Sequence, residues 1–198
     1  MITMIALLLF IACAVEGSKV VMTGSNVNLT CARTGEFMTW RARFTKADDT
    51  RIVRTIADQE DERVKYEGIY ASYEERFSVL TLSNVTDDLA GEYFCYSFQH
   101  PESIRAYRVV VVTKPTCVQS RDNNTRTIRC QSQQTGGRYK RFKQHVFADL
   151  PVTNYTIKMF KKKALMVSLE YPAWITNITM TYQLRYDAWS YVTTEFIE

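Results

Sequence analysis

Short segments in which apolar and polar residues alternate run along the chain from residue 18 onward. In Val27-Asn28-Leu29-Thr30-Cys31 the odd positions are apolar and the even ones polar, the period of a strand with one face on a core. Leu80 and Leu82, then Tyr93 and Cys95, keep that period, and no apolar stripe at helical spacing occurs outside the N-terminus. The pattern predicts an all-β protein of two β-sandwich domains. Val112-Thr113-Lys114-Pro115 marks a junction, because proline ends a ladder, and separates a first domain at 18–113 from a second at 117–198. In the second, strands are expected on either side of the turn-rich 121–125 and over 155–160, 165–171, 175–186 and 191–197.

Residues 1–17 read as a secretory signal peptide: an apolar stretch from Ile5 to Ala12 is followed by small residues, with cleavage expected after Ala14 or after Gly17. The run is too short to cross ~30 Å of hydrocarbon, although its N-terminal region lacks the usual Lys or Arg. A lipid-modified Cys13 matches the preceding Phe10-Ile11-Ala12 poorly. No later segment reads as a membrane span, since the longest uncharged run, 171–184, is interrupted by Pro172, Asn177 and Gln183. The expected product is secreted and extracellular.

Composition supports a packed extracellular fold. Apolar residues make up 46% and charged residues 23%, with only four prolines and seven glycines, which excludes disordered and collagen-like classes. Without Cys13, the cysteines Cys31, Cys95, Cys117 and Cys130 remain, an even number that allows three pairings in an oxidising compartment. Five N-x-S/T sequons begin at Asn28, Asn84, Asn123, Asn154 and Asn177, the acceptor sites of a glycoprotein.

Nine residues after Cys31 comes Trp40; 64 after it comes Cys95, inside Gly91-x-Tyr93-x-Cys95. Over residues 18–113 these positions resemble the immunoglobulin superfamily, whose sandwich carries a Cys on strand B, a Trp on strand C and a Tyr two residues before the second Cys on strand F. The resemblance implies a Cys31–Cys95 disulfide and a V-like domain, since the long Cys–Cys gap leaves room for extra strands. Three departures accompany it. The Cys31–Trp40 interval is short, Leu89 stands where the family has Asp, and 104–112 lacks the Gly-x-Gly bulge of antibody joining segments. Antibody-style antigen recognition is therefore not implied. An ion pair between Arg63 and Asp88 is a further expectation of the resemblance.

If Trp40 points inward, Arg41 and Arg43 point outward; if Tyr93 and Cys95 point inward, Phe94 and Tyr96 point outward. Strands C and F are sheet neighbours in the family, so these four side chains would share a face, extended by Phe98, Gln99 and His100. Aromatics beside arginines are the residue types enriched at interface hot spots. Tyr66, Tyr70 and Tyr73 either pad that side or fill the sandwich edge.

In the second half, Cys117 and Cys130 lie 13 apart, close enough to staple two neighbouring strands. Thr181-Tyr-Gln-Leu-Arg-Tyr-Asp-Ala-Trp-Ser190 resembles the F strand of fibronectin type III modules, and a diverged constant-type immunoglobulin domain is the equal alternative. Charge separates the halves: residues 17–116 carry 13 Lys and Arg against 14 Asp and Glu, residues 117–198 carry 12 against 6. The excess concentrates in Arg138, Lys140, Arg141 and Lys143 and in Lys161, Lys162 and Lys163. Residues 139–144 follow the X-B-B-X-B-X order of heparin-binding sites, so a glycosaminoglycan is a candidate partner, with Lys-blunted strand edges as the plain alternative. Nucleic acid is not expected as a partner of a secreted glycoprotein.

Only two histidines occur, His100 and His145, in no metal-ligand spacing, and no nucleophile elbow or phosphate loop is present. No enzymatic activity, cofactor or metal is expected. The functional expectation is a secreted binding module that engages a cell-surface protein receptor of leukocytes through the first domain. In general form it is similar to viral immune-evasion glycoproteins. Two alternatives are a soluble decoy for a cytokine or chemokine and an adhesive subunit of a glycoprotein complex.

Overall fold

A computed structural model describes residues 15–33, 37–45, 51–60, 66–97, 99–100, 104–136, 142–150, 156–161, 165–186 and 189–197. The protein is all-β. The first half contributes β1 (Val15–Met22), β2 (Val27–Ala32), β3 (Met38–Thr45), β4 (Arg51–Asp58), β5 (Ile69–Tyr73), β6 (Phe77–Leu82), β7 (Gly91–Ser97) and β8 (Arg105–Val112), with a short 3₁₀ turn at Asp87–Leu89. The second half contributes β9 (Thr116–Arg121), β10 (Thr125–Ser132), β11 (Gln134–Thr135), β12 (Phe142–Asp149), β13 (Thr156–Lys161), β14 (Leu165–Pro172), β15 (Ile178–Tyr186) and β16 (Trp189–Ile197).

Two sheets enclose the first core, one in the order β1-β8-β7-β3-β4 and the other β2-β6-β5. Alternation decides which side chains enter it. Leu29 and Cys31 from β2 and Leu80 and Leu82 from β6 meet Trp40, Ala42, Tyr93, Cys95, Val109 and Val111, all buried. The Cys31–Cys95 disulfide ties the two layers together. Two large side chains that bring polar atoms into this core pair them: the Trp40 indole N–H donates to the Ser78 hydroxyl at 2.8 Å, and the Tyr107 hydroxyl donates to the Thr30 carbonyl. Tyr93 donates its hydroxyl proton to the Leu89 carbonyl at 2.5 Å, holding the turn before β7 against the strand. That turn places Leu89 itself in the core.

The second core lies between the sheets β13-β14-β10-β9 and β12-β15-β16. Ile128, Cys130, Phe142, Leu165, Val167, Leu169, Met180, Tyr182, Leu184 and Tyr186 are buried in it. Cys117 and Cys130 are direct cross-strand partners and form the second disulfide, as the short interval implied. The expected strand at 175–186 begins at Ile178 instead, because residues 173–177 form a turn in which the Ile175 N–H donates to the Pro172 carbonyl and Asn177 takes φ of 57°. Strand β12 is not among the strands that alternation predicts; only the alternative reading of the cationic stretch, as a Lys-blunted strand edge, places a strand there.

The two cores share β1 and β8. Val109 and Val111 of β8, with Val21 of β1, face the first core, whereas Val110 and Val112, with Val20 of β1, belong to the second. β11 pairs with β8 at Gln134↔Val112 and Thr135↔Val111, adding a piece of the second half to the first sheet. Reciprocal hydrogen bonds between Thr113 and Gln133 close the junction beside buried Pro115. Gly136, at φ +81°, is seated so closely that a Cβ there would lie 2.7 Å from the Val109 carbonyl oxygen.

Candidate interaction face

Sheet β1-β8-β7-β3-β4 has one face on the first core; the other face is divided. At one end Val20, Val110 and Val112 are sealed by the second core. At the other, β3 and β7 present Arg41, Arg43, Phe94 and Tyr96 outward, in the register Arg41↔Phe94 and Thr39↔Tyr96. The strand period places these four together as expected: Arg41 is exposed, and Arg43, Phe94 and Tyr96 are half-buried.

Each arginine lies across the ring diagonally opposite it. The Arg41 guanidinium carbon is 5.5 Å from the centre of the Tyr96 ring, and that of Arg43 is 5.4 Å from the centre of Phe94. Such a contact contributes about 0.5–1 kcal/mol at exposed sites and restrains the guanidinium over the ring. Arg43 also donates to Glu92 at 3.1 Å, and Arg108 on β8 donates to the other oxygen of the same carboxylate at 2.6 Å. This Arg–Glu–Arg row across β3, β7 and β8 anchors one side of the patch. Arg41 has no ion-pair partner among the described residues and points its charge outward. Burial pushes the Tyr96 hydroxyl above its ordinary pKa, an effect Arg41 partly offsets and Asp58 reinforces, so the ring carries a neutral phenol at physiological pH.

Several contributors escaped the sequence reading. Val53, 58% exposed, pairs with Arg43 across the ladder, and Thr55 pairs with Arg41. A register shift between Trp40 and Arg41 displaces β4 by one residue, so alternation alone does not assign its outer face. Glu92 and Arg108 were legible only once β7 and β8 are known to be neighbours. His100 is exposed past the end of β7, its N–H donating to the Ser97 carbonyl; Phe98 lies outside the described residues. Tyr66, Tyr70 and Tyr73 do not extend the patch. They line a cleft of about 900 Å³ at the sandwich edge between β4 and β5, where Tyr66 also stacks on Phe44 with ring centres 5.2 Å apart.

Sequons Asn28, Asn84, Asn123 and Asn177 are exposed, on β2 and on turns; none of the five falls on β1, β3, β4, β7 or β8. Asn154 lies outside the described residues, as do Arg63, Arg138, Lys140, Arg141, Lys162 and Lys163. Lys161 closes β13, and Lys143 is exposed on β12, directly across the ladder from Arg185. The expected cationic cluster is thus represented here by a Lys143–Arg185 pair whose second member the sequence pattern did not single out.

Among the described residues no three His, Cys, Asp or Glu side chains gather as a metal site, and no helix is long and apolar enough to cross a membrane. Two disulfides fit an extracellular protein. No protein-family model matches the chain, and no curated protein matches its sequence.

Proposed function

We propose that this chain is a secreted, glycosylated binding protein of the immunoglobulin superfamily that engages a cell-surface receptor of leukocytes through the outer face of β3 and β7. The observation that carries this reading is the sequon-free patch of Arg41, Arg43, Phe94 and Tyr96, left open while the Val20, Val110 and Val112 end of the same sheet face is sealed by the second core. Stacked arginine and aromatic side chains of limited mobility lose little entropy on binding and match interface hot spots in composition.

Membership of the superfamily draws support from details that strand content alone does not supply. The Tyr93–Leu89 bond has the form of the family's tyrosine corner, and Trp40 sits opposite Cys95 in the register beside the inter-sheet disulfide. β4 added to a β8-β7-β3 sheet corresponds to the C′ strand of a V-like domain. For the second half, the orders β9-β10-β14-β13 and β12-β15-β16 correspond to the A-B-E-D and C-F-G sheets of constant-type domains, which favours that alternative over fibronectin type III. Its disulfide departs from the family by joining adjacent strands of one sheet.

The test is staining of a leukocyte panel with the tagged, secreted protein, with and without heparinase, beside a Phe94→Asp/Tyr96→Asp variant verified as folded. The expected outcome is heparinase-resistant staining that falls at least tenfold in the variant, about 1.4 kcal/mol or more. Staining that the variant retains, or that heparinase removes, overturns the assignment to this face.

A further inference from the structure

We propose that the second half of the molecule associates with a second copy of this chain, edge to edge, through β12. The strand stands at the end of the β12-β15-β16 sheet. All eight of its residues pair with β15 in unbroken register, from Phe142↔Tyr186 to Asp149↔Thr179, and no other strand of the described residues pairs with it. Such an edge offers a row of backbone donors and acceptors roughly 26 Å long. Proteins usually blunt an edge of this kind with a proline, a bulge, a short strand or charged side chains; β12 has no proline, no register shift and full length, and its exposed Lys143 is balanced by Asp149 at the other end of the strand. It also exposes Phe147, at 61%.

Its charges select one arrangement. The outward side chains, in order, are Lys143, His145, Phe147 and Asp149, and among the described residues neither Lys143 nor Asp149 has an ion-pair partner. Antiparallel pairing about a two-fold axis at Val146 sets Lys143 opposite the partner's Asp149, and Asp149 opposite the partner's Lys143. Phe147 then meets the partner's His145, so aromatic rings cover each other at the centre between two ion pairs. Moving the axis by one residue loses both ion pairs. The incoming carboxylate would also relieve the like-charge pair that Lys143 makes with Arg185 directly across the ladder.

Other edges lack this combination. β1 and β4 carry register shifts, β5 has five residues, and β2, β9 and β13 have six each. β16 is as regular, but its described outward residues, Ser190 and Val192, are uncharged. The resulting dimer would hold a continuous six-stranded sheet and display two copies of the β3–β7 face, raising avidity without new contacts. The inference stands independently of what that face binds.

Sedimentation velocity of the secreted full chain, from about 1 to 100 µM, tests it. The wild type is expected to move towards twice the monomer mass as concentration rises. Lys143→Asp and Asp149→Lys, each placing like charges at both ends of the pairing, are expected to weaken association at least tenfold. An equimolar mixture of the two variants restores complementary charges and is expected to associate as the wild type does, which also establishes that both are folded. A wild type that stays monomeric throughout, a dimer indifferent to both substitutions, or a mixture that fails to associate overturns the proposal.

Discussion

Tyr93 is wholly buried, and its hydroxyl proton has one destination, the Leu89 carbonyl. Burial first, then the nearby Tyr66 and Asp88, push its pKa well above the ordinary tyrosine range. A raised pKa means that the native state keeps a proton the unfolded chain releases from about pH 10. Stability contributed by Tyr93 is therefore complete below that pH and lost as pH rises through the folded pKa, at about 1.4 kcal/mol per pH unit. Tyr73, raised by burial and by Asp58 to about 12, acts in the same direction between pH 10 and 12. Tyr93→Phe is expected to cost about 0.5–1.5 kcal/mol at pH 7 and to flatten the alkaline loss, as denaturant unfolding at pH 7 and pH 11 would record. An unchanged alkaline slope would place the titrating group elsewhere. The role of Tyr93 was legible from its place two residues before Cys95; its acceptor was not, because the 3₁₀ turn that supplies Leu89 depends on local dihedrals rather than on polarity.

At the scale of elements, β2, β6 and β7 were legible because their inward positions are apolar apart from Ser78 and Ser97, two small residues that leave the alternation readable. β12 was not. Its inward positions are Phe142, Gln144, Val146 and Ala148, and a buried glutamine breaks the period. The structure shows why it is tolerated: the buried Tyr182 hydroxyl on neighbouring β15 donates to the Gln144 side-chain carbonyl at 3.0 Å. Gln144→Leu strips Tyr182 of that acceptor and is expected to cost about 1–3 kcal/mol, whereas adding Tyr182→Phe recovers much of the loss. A double-mutant cycle in denaturant measures the coupling; additive effects would mean that the bond contributes nothing. Of the cationic residues singled out in this segment, Lys143 falls among the described residues, and strand pairing sets Arg185 opposite it.

At the scale of the molecule, the two halves are joined through their interiors. Val20, Val110 and Val112 fill the second core while their chain neighbours Val21, Val109 and Val111 fill the first, so neither core closes without β1 and β8. Chemical denaturation of the full chain is accordingly expected to give one cooperative transition, and Gly136→Ala to shift it as a whole by about 2 kcal/mol, because the added Cβ meets the Val109 carbonyl at the joint. Two transitions, of which only one moves, would show that the halves unfold separately. The amino-acid sequence by itself determined the all-β class, the strands with clean alternation, the outward placement of Arg41, Arg43, Phe94 and Tyr96, and that of the sequon residue Asn28, because strand period assigns a face from neighbours two residues apart. Only the tertiary structure decided which strands adjoin. It thereby decided the stacking of each arginine on its ring, the row from Arg43 through Glu92 to Arg108, the free edge of β12, and the two strands that serve both cores, since each depends on pairing between segments far apart in the chain.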